Sequence, residues 1–192
     1  MHRFSFYRPL ICASLGLVSH TAHAALQPMA EAALANESEL HCHFNRDAST
    51  DCTTTYRYTI LQPSGREILS RIDFNYAEGD GFEVLHAEST QPGGKPQALA
   101  ESQIDTRTAP NPDQGFSRVK QTSLAFPNLR VGTQIRYTVR EHHPAKPLMT
   151  EFHYALQFGP SNARRDRLKA RFTAERPIEW RAELMDGFTI TP

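Results

Sequence analysis

The chain has 192 residues, of which 39% are hydrophobic and 22% are charged. This ordinary globular composition excludes collagen, coiled coils and intrinsic disorder, and it suits one compact domain or at most two. Basic and acidic side chains both number 21, so no excess charge would attract nucleic acid or anionic lipid. We therefore do not expect nucleic acid as a partner.

Residues 1–24 have the features of a cleaved secretory signal peptide. Arg3 and Arg8 precede an apolar stretch over residues 10–18, and alanines at positions 22 and 24 provide the small side chains that signal peptidase requires. A membrane anchor is the alternative, but the apolar stretch is far shorter than the roughly 20 residues that span a bilayer. We predict a periplasmic or secreted protein without stable membrane insertion.

Cleavage before Ala25 would leave 168 residues, including two cysteines and six histidines. A chain of this length buries enough surface for a stable core, and export would place the cysteines in an oxidising compartment. Residues 25–37, which are rich in alanine, are predicted to be a leader or linker, or a short helix, ahead of the domain. The domain itself is predicted to span residues 38–192.

After residue 37 the sequence has the two-residue period of β-strands. Ile135, Tyr137 and Val139 alternate with polar residues, which is typical of a strand with one buried and one solvated face. The same alternation recurs in four other segments, at residues 67–76, 151–158, 168–174 and 178–182. Many short alternating strands separated by turns indicate a two-layer antiparallel β-sandwich of about eight to ten strands, with a single barrel as the alternative. Residues 106–115 are predicted to be a loop.

Cys42 and Cys52 are predicted to form a disulfide bridge across a β-hairpin. If residues 38–45 pair with residues 52–62 around an intervening turn, Cys42 lies directly opposite Cys52. Directly opposed residues of a non-hydrogen-bonded pair lie about 4.5 Å apart at Cα, which suits a disulfide. The same register places His41 and His43 on the face opposite to both cysteines.

A metal site is the alternative interpretation that would give this hairpin a function, since histidine and thiolate are common zinc ligands. Its ligands would be His41, Cys42, His43 and Cys52. The alternation of side chains along a strand opposes this site, because Cys42 points away from both histidines. The two histidines could still hold a metal weakly with help from Asp51. A nucleophilic role for Cys42 is disfavoured, because no histidine shares its face and no glycine-rich turn precedes it.

Two further features of the sequence have ordinary structural interpretations. Arg165, Arg167, Lys169 and Arg171 would line one face of a strand, where they would bind an anionic partner or, as we prefer, be solvated. The pair His142-His143 is predicted to end a strand. The chain contains no serine-hydrolase elbow, zinc-peptidase helix or nucleotide-binding loop, so we assign no catalytic, cofactor-binding or metal-binding residues.

Residues 124–137, LAFPNLRVGTQIRY, combine a turn with the strand that follows it. The motif residues are Phe126, Pro127, Leu129, Gly132, Ile135 and Tyr137. With the upstream hairpins and the segment QPGGK at residues 91–95, this motif resembles the N-terminal domain of unassigned function that precedes a transglutaminase-like domain in exported bacterial proteins. The resemblance covers residues 37–192.

This resemblance implies a periplasmic or secreted two-layer β-sandwich, with Cys-His-Asp chemistry confined to a downstream domain. We expect the chain to end at Pro192 within the sandwich, so that the domain is truncated at its C-terminal end. The resulting hypothesis is a non-catalytic accessory domain whose partner is a transglutaminase-like domain or another periplasmic protein. A carbohydrate- or peptide-binding module that uses residues 106–115 is the alternative, and a cysteine hydrolase or transferase centred on Cys42 is the third hypothesis.

Overall fold

The structure is a computed structural model that describes residues 31–109, 118–145, 163–179 and 189. Nine strands form two sheets in this part of the chain. The strands are β1 Leu34–Phe44, β2 Thr50–Ile60, β3 Arg71–Ala77, β4 Gly81–Thr90, β5 Pro96–Ala98, β6 Ile104–Ala109, β7 Val119–Ala125, β8 Gln134–His143 and β9 Ala163–Ala174. One α-helix, α1 Pro63–Ser70, and a 3-10 turn at Glu101–Gln103 interrupt them. The predicted all-β sandwich is confirmed.

The larger sheet contains six strands in the order β5-β4-β8-β2-β1-β9, and the smaller contains β3-β7-β6. Every neighbouring pair is antiparallel except β1 and β9, which run parallel. Side-chain alternation is the same for either strand direction, so the sequence pattern does not reveal this parallel pair.

The main core lies between the two sheets. The larger sheet contributes Ile60, Ile135 and Tyr137, and the smaller sheet contributes Leu124 from β7, all of them buried. Across the gap, the ring of Phe74 lies 5.8 Å from the ring of Tyr137, measured between centroids. Each large apolar side chain that is buried in this way contributes about 1.5–3 kcal/mol to stability.

The β1–β2 hairpin has the register that the two cysteines predict. Cys42 lies directly opposite Cys52, their Cα atoms are 4.1 Å apart, and their sulfur atoms are bonded. The bridge belongs to a second, smaller cluster of buried side chains that also includes Leu40 and Phe44. β1 begins at Leu34, four residues before the predicted start at Ser38, because the hairpin pairing continues to the end of β2.

The predicted strand at residues 67–76 is wrong in its first part, which is helical. α1 covers residues 63–70 and begins at Pro63, whose fixed φ suits the first turn of a helix. A Cβ at Gly65 would lie 2.6 Å from the carbonyl oxygen of Ala33, so glycine permits the close packing of this helix against the chain before β1. Gly65 and Leu69, four residues apart, are the buried residues of this segment, which is the spacing of one helical face.

The predicted loop at residues 106–115 is wrong for its first four residues, which belong to β6 and pair with β7. The rest of that loop, the predicted strand at 151–158 and the signal peptide at 1–24 lie outside the described residues. Residues 168–174 form part of β9 as predicted, whereas Ile178 is not in a strand. In the described part of the chain, no helix has the length and hydropathy needed to cross a membrane.

The disulfide is expected to be a main source of stability for the hairpin. The double substitution Cys42→Ala/Cys52→Ala should lower the free energy of unfolding by about 3 kcal/mol, because the bridge restricts the unfolded chain. Urea unfolding with and without dithiothreitol measures this change. The reductant should destabilise the wild-type protein and leave the double variant unaffected, whereas a wild-type protein insensitive to reduction would contradict the assignment.

Candidate functional site

One face of the six-stranded sheet points away from the smaller sheet, and we call it the outer face. Alternation produces it: the register that directs Ile135 and Tyr137 into the core directs Arg136 outward. Its polar members from the three central strands β1, β2 and β8 are Glu37, Glu39, His41, His43, Asp51, Thr53, Thr55, Arg57, Thr59, Gln134, Arg136, Thr138, Arg140 and His142. Ala35, opposite Thr59, is the apolar member of this face on these strands; the others are polar, and none is phenylalanine, tyrosine or tryptophan. The predicted placement of His41 and His43 opposite the cysteines is confirmed.

Most charges on the outer face are matched by a neighbour of opposite sign. The pairs are Arg140 with Glu83, Lys169 Nζ with Glu39 Oε1 at 3.2 Å, Arg136 Nη1 with Glu88 Oε1 at 3.9 Å, and His86 Nε2 with Glu88 Oε2 at 3.0 Å. Exposed pairs of this kind contribute at most about 1 kcal/mol each. Arg57, Arg167 and Arg171 form no ion pair with any described residue. Glu37 lies opposite both Arg57 and Arg167, so two arginines face one acid there.

A depression of about 410 Å³ lies at one end of the outer face. Its charged lining consists of Glu37, Arg57, Glu88, Arg136 and Asp166. Arg57 and Arg136 are directly opposite one another on β2 and β8. Like charges in opposed positions repel each other, and here the neighbouring strands supply an acid on either side, Glu37 opposite Arg57 and Glu88 opposite Arg136. The depression therefore presents both signs of charge to a ligand.

At the other end of the outer face, Asp51 lies between two histidines. His142 Nδ1 is 2.8 Å from Asp51 Oδ1, and Asn45 Nδ2 donates to Asp51 Oδ2 at the same distance. These two contacts, with that from Asn45 the larger, hold the pKa of Asp51 below its ordinary value. On the neighbouring strand, the ring nitrogen Nδ1 of His43 lies 2.9 Å from the hydroxyl of Thr173.

The alternatives that require free thiols are excluded by the hairpin. Cys42 and Cys52 are bonded to each other, so neither is a thiolate for a metal or for nucleophilic attack. Among the described residues, no three histidine, cysteine, aspartate or glutamate side chains converge as metal ligands.

The predicted basic stripe on β9 is divided between the two faces of the sheet. The pairing of β9 with β1 shifts between Asn36 and Glu37 of β1. Arg165 lies opposite Asn36, and Arg167 lies opposite Glu37. The extra residue, Asp166, forms a β-bulge that reverses the alternation. Arg167, Lys169 and Arg171 therefore share the outer face, whereas Arg165 is directed to the other side. Sequence alternation alone gives no sign of such a bulge.

The six motif residues form a structural connection and not a surface site. Phe126, Ile135 and Tyr137 are buried in the main core, Leu129 is half-buried against it, and Pro127 is exposed. Gly132 has a φ of +86°, a conformation that glycine adopts without strain. The motif therefore specifies how the chain enters β8.

Two polar residues of the quoted segments 91–95 and 124–137, to which no role was assigned from sequence, hold this connection in place. Thr133 is fully buried, and its hydroxyl donates to Gln91 Oε1 at 3.0 Å while accepting from the backbone N–H of Arg130. Gln91 also donates to the carbonyl oxygen of Asn128 at 3.1 Å. Gly132 N–H donates to the carbonyl of Ile60 at 2.8 Å, which joins the connection to the end of β2. A threonine beside a glycine is too common a pattern to reveal this role.

Comparison with protein families and solved structures places this fold among known domains. Residues 46–192 match the model of a family described as a domain of unknown function with a solved structure, DUF3857. No protein with a curated description matches the chain in sequence.

A crystal structure of a candidate protease from Parabacteroides distasonis is similar, with a TM-score of 0.53 and 8% sequence identity. The match covers 59% of this chain and 24% of that protein, so the chain spans only about a quarter of it. Two structures of family 3a carbohydrate-binding modules from the Clostridium thermocellum scaffoldin score 0.37 and 0.34, each at 15% identity. The first match covers 67% of this chain and 81% of the module, and the second covers 56% of this chain and 74% of the module. TM-scores this low do not support a shared fold.

The substitution Gly132→Ala is expected to destabilise the domain by about 1–2 kcal/mol, the cost of a left-handed conformation for a residue with a Cβ. The new Cβ would also lie 3.0 Å from Cγ of Pro92. Gly79→Ala is the matched control, because a Cβ there meets nothing within 4 Å. Thermal unfolding followed by circular dichroism measures both variants, and equal midpoints would contradict the role of Gly132.

The substitution Asp51→Asn should make stability less sensitive to acid. Because folding lowers the pKa of Asp51, its carboxylate stabilises the fold at pH values above the ordinary aspartate pKa of 3.8. That contribution is lost as the pH falls through the lower pKa of the folded protein. Urea midpoints from about pH 6 to about pH 2 should therefore fall less steeply in this variant. Asp105→Asn, at an exposed position on β6, is the control, and identical slopes for Asp51→Asn and wild type would disprove the effect.

Proposed function

The chain belongs to the DUF3857 family, and from this premise we propose that it is a non-catalytic exported accessory domain that contacts a partner through the outer face. The observation that carries the proposal is the charged outer face, which the second sheet leaves uncovered. Three of its arginines, Arg57, Arg167 and Arg171, have no ion pair in the described part of the chain. Exposed arginines of this kind favour recognition of a complementary surface.

The chemistry of the outer face suits binding better than catalysis. Its acids are mostly held by cations, as Glu39 is by Lys169 and Glu83 is by Arg140. Such ion pairs suit electrostatic steering of a charged partner. The bonded cysteines provide no nucleophile. A partner with complementary charge would be attracted at low salt and oriented by these groups.

The proposed partner is a transglutaminase-like domain. The motif at residues 126–137 supports this choice through its resemblance to domains that precede such enzymes. The candidate protease of Parabacteroides distasonis gives general support, because there the similar fold is one part of a longer protein. The signal-like residues 1–24 support export to the periplasm or the exterior, where both domains would meet.

A second candidate function is a carbohydrate- or peptide-binding module. The depression in the outer face favours it, because a volume of about 410 Å³ lies within the range of small-ligand sites. Residues 106–109, which the sequence assigned to a binding loop, instead form part of β6 in the other sheet. Tyr58 lines the depression, but its ring stacks on that of Tyr137 in the core, so the depression favours a peptide over a carbohydrate.

The accessory role predicts direct binding between this chain and a transglutaminase-like domain exported by the same organism. The double substitution Arg167→Glu/Arg171→Glu should weaken that binding by about tenfold or more, because it reverses two charges of the outer face. Isothermal titration calorimetry at low and moderate salt measures the affinity. Binding by wild type should weaken as salt increases.

The matched control is Arg118→Glu, which removes an arginine that is 73% exposed and precedes β7 in the smaller sheet. It should leave the affinity unchanged. Absence of binding by the wild-type chain would refute the accessory role, and equal losses for the control and the double variant would refute the assignment of the outer face.

A further inference from the structure

The depression in the outer face brings two arginines together beside three acids, with Glu37 opposite Arg57 and Glu88 opposite Arg136. Arg57 and Arg136 are directly opposed on β2 and β8, and opposed residues of antiparallel strands lie about 4.5–5.5 Å apart at Cα. Arg136 is 46% exposed and makes one long ion pair, at 3.9 Å, with Glu88. Arg57 makes none with the described residues. Two guanidinium groups in this arrangement offer several parallel N–H donors to one anion.

We propose that this depression binds a peptide segment through a carboxylate group held by Arg57 and Arg136. A planar carboxylate accepts two parallel hydrogen bonds from a guanidinium group, which gives both attraction and orientation. A carboxylate placed between the opposed arginines would also reduce the repulsion between them.

The acids of the depression decide between a peptide and other anionic ligands. Glu37, Glu88 and Asp166 line the same space as the two arginines. They would repel a phosphate group or a polyanion such as nucleic acid, which carry two or more negative charges close together. A peptide has one carboxylate for the arginines, and its N–H groups or an ammonium group can donate to the acids. The mixed lining is therefore complementary to a peptide.

This inference rests on the proposed function in one respect, since it names the chemical group that the outer face recognises. The two proposals concern different residues and are tested by different experiments. The partner experiment depends on Arg167 and Arg171 of β9, whereas peptide binding depends on Arg57 and Arg136. A partner that binds while peptides do not would refute only the inference, and peptides that bind without any partner binding would refute only the accessory role.

The test is a titration of the isotope-labelled chain with five probes, followed by NMR chemical shifts and dissociation constants. The probes are triglycine, N-acetyl-triglycine, triglycine amide, maltotriose and inorganic phosphate. Triglycine and its N-acetyl form should bind and shift the arginine side-chain signals, because both retain the carboxylate. Triglycine amide and maltotriose should not bind. Amide binding equal to that of triglycine, or phosphate binding tighter than that of the N-acetyl form, would overturn the proposal.

Variants at the two arginines test the assignment of residues. Arg57→Gln and Arg136→Gln should each weaken triglycine binding by about tenfold or more, since each removes charged donors. Arg57→Lys keeps the charge without the planar fork and should give an intermediate affinity. The control is Arg140→Gln, a residue of the same face that is 53% exposed and pairs with Glu83 outside the depression. A control loss as large as that of Arg57→Gln would also overturn the proposal.

Discussion

The packing of inward-facing side chains between the two sheets is the constraint on which the rest of the structure depends. Tyr137 shows how it acts: its ring lies 5.0 Å from that of Tyr56 and 5.8 Å from that of Phe74 in the opposite sheet. Because alternate residues of a strand point to opposite faces, burial of Tyr137 fixes Arg136 on the outer face. The core therefore determines which charges the protein presents to a partner.

Much of the fold follows from the sequence wherever side-chain alternation is regular. The hairpin register was predictable because Cys42 and Cys52 need direct opposition, and β8 was predictable because Ile135, Tyr137 and Val139 alternate with polar residues. The helix α1 was missed because Ile68, Ser70 and Ile72 imitate a two-residue period across a helix boundary. That boundary depends on packing around Gly65, a tertiary contact that no local pattern records.

The candidate site was only partly predictable, because it is assembled from several strands. Sequence placed Arg57 on a polar face but gave no sign that Arg136, far along the chain, lies opposite it. The bulge at Asp166 reversed the expected position of Arg165, and the parallel pairing of β9 with β1 was equally hidden. The motif at residues 126–137, which carries the family resemblance, forms the turn that leads into β8 and the first part of that strand. Recognition is thus assigned to residues outside that motif.

Nuclear Overhauser measurements on the labelled chain test most directly whether one face of the larger sheet is core and the other is a charged surface. We expect contacts between the ring protons of Phe74 and Tyr137, and contacts of Arg57 with Arg136 across the sheet but not with any core ring. Contacts of the Arg57 or Arg136 side chains with the rings of the smaller sheet would contradict this expectation, since they would mean that the strands are shifted by one residue.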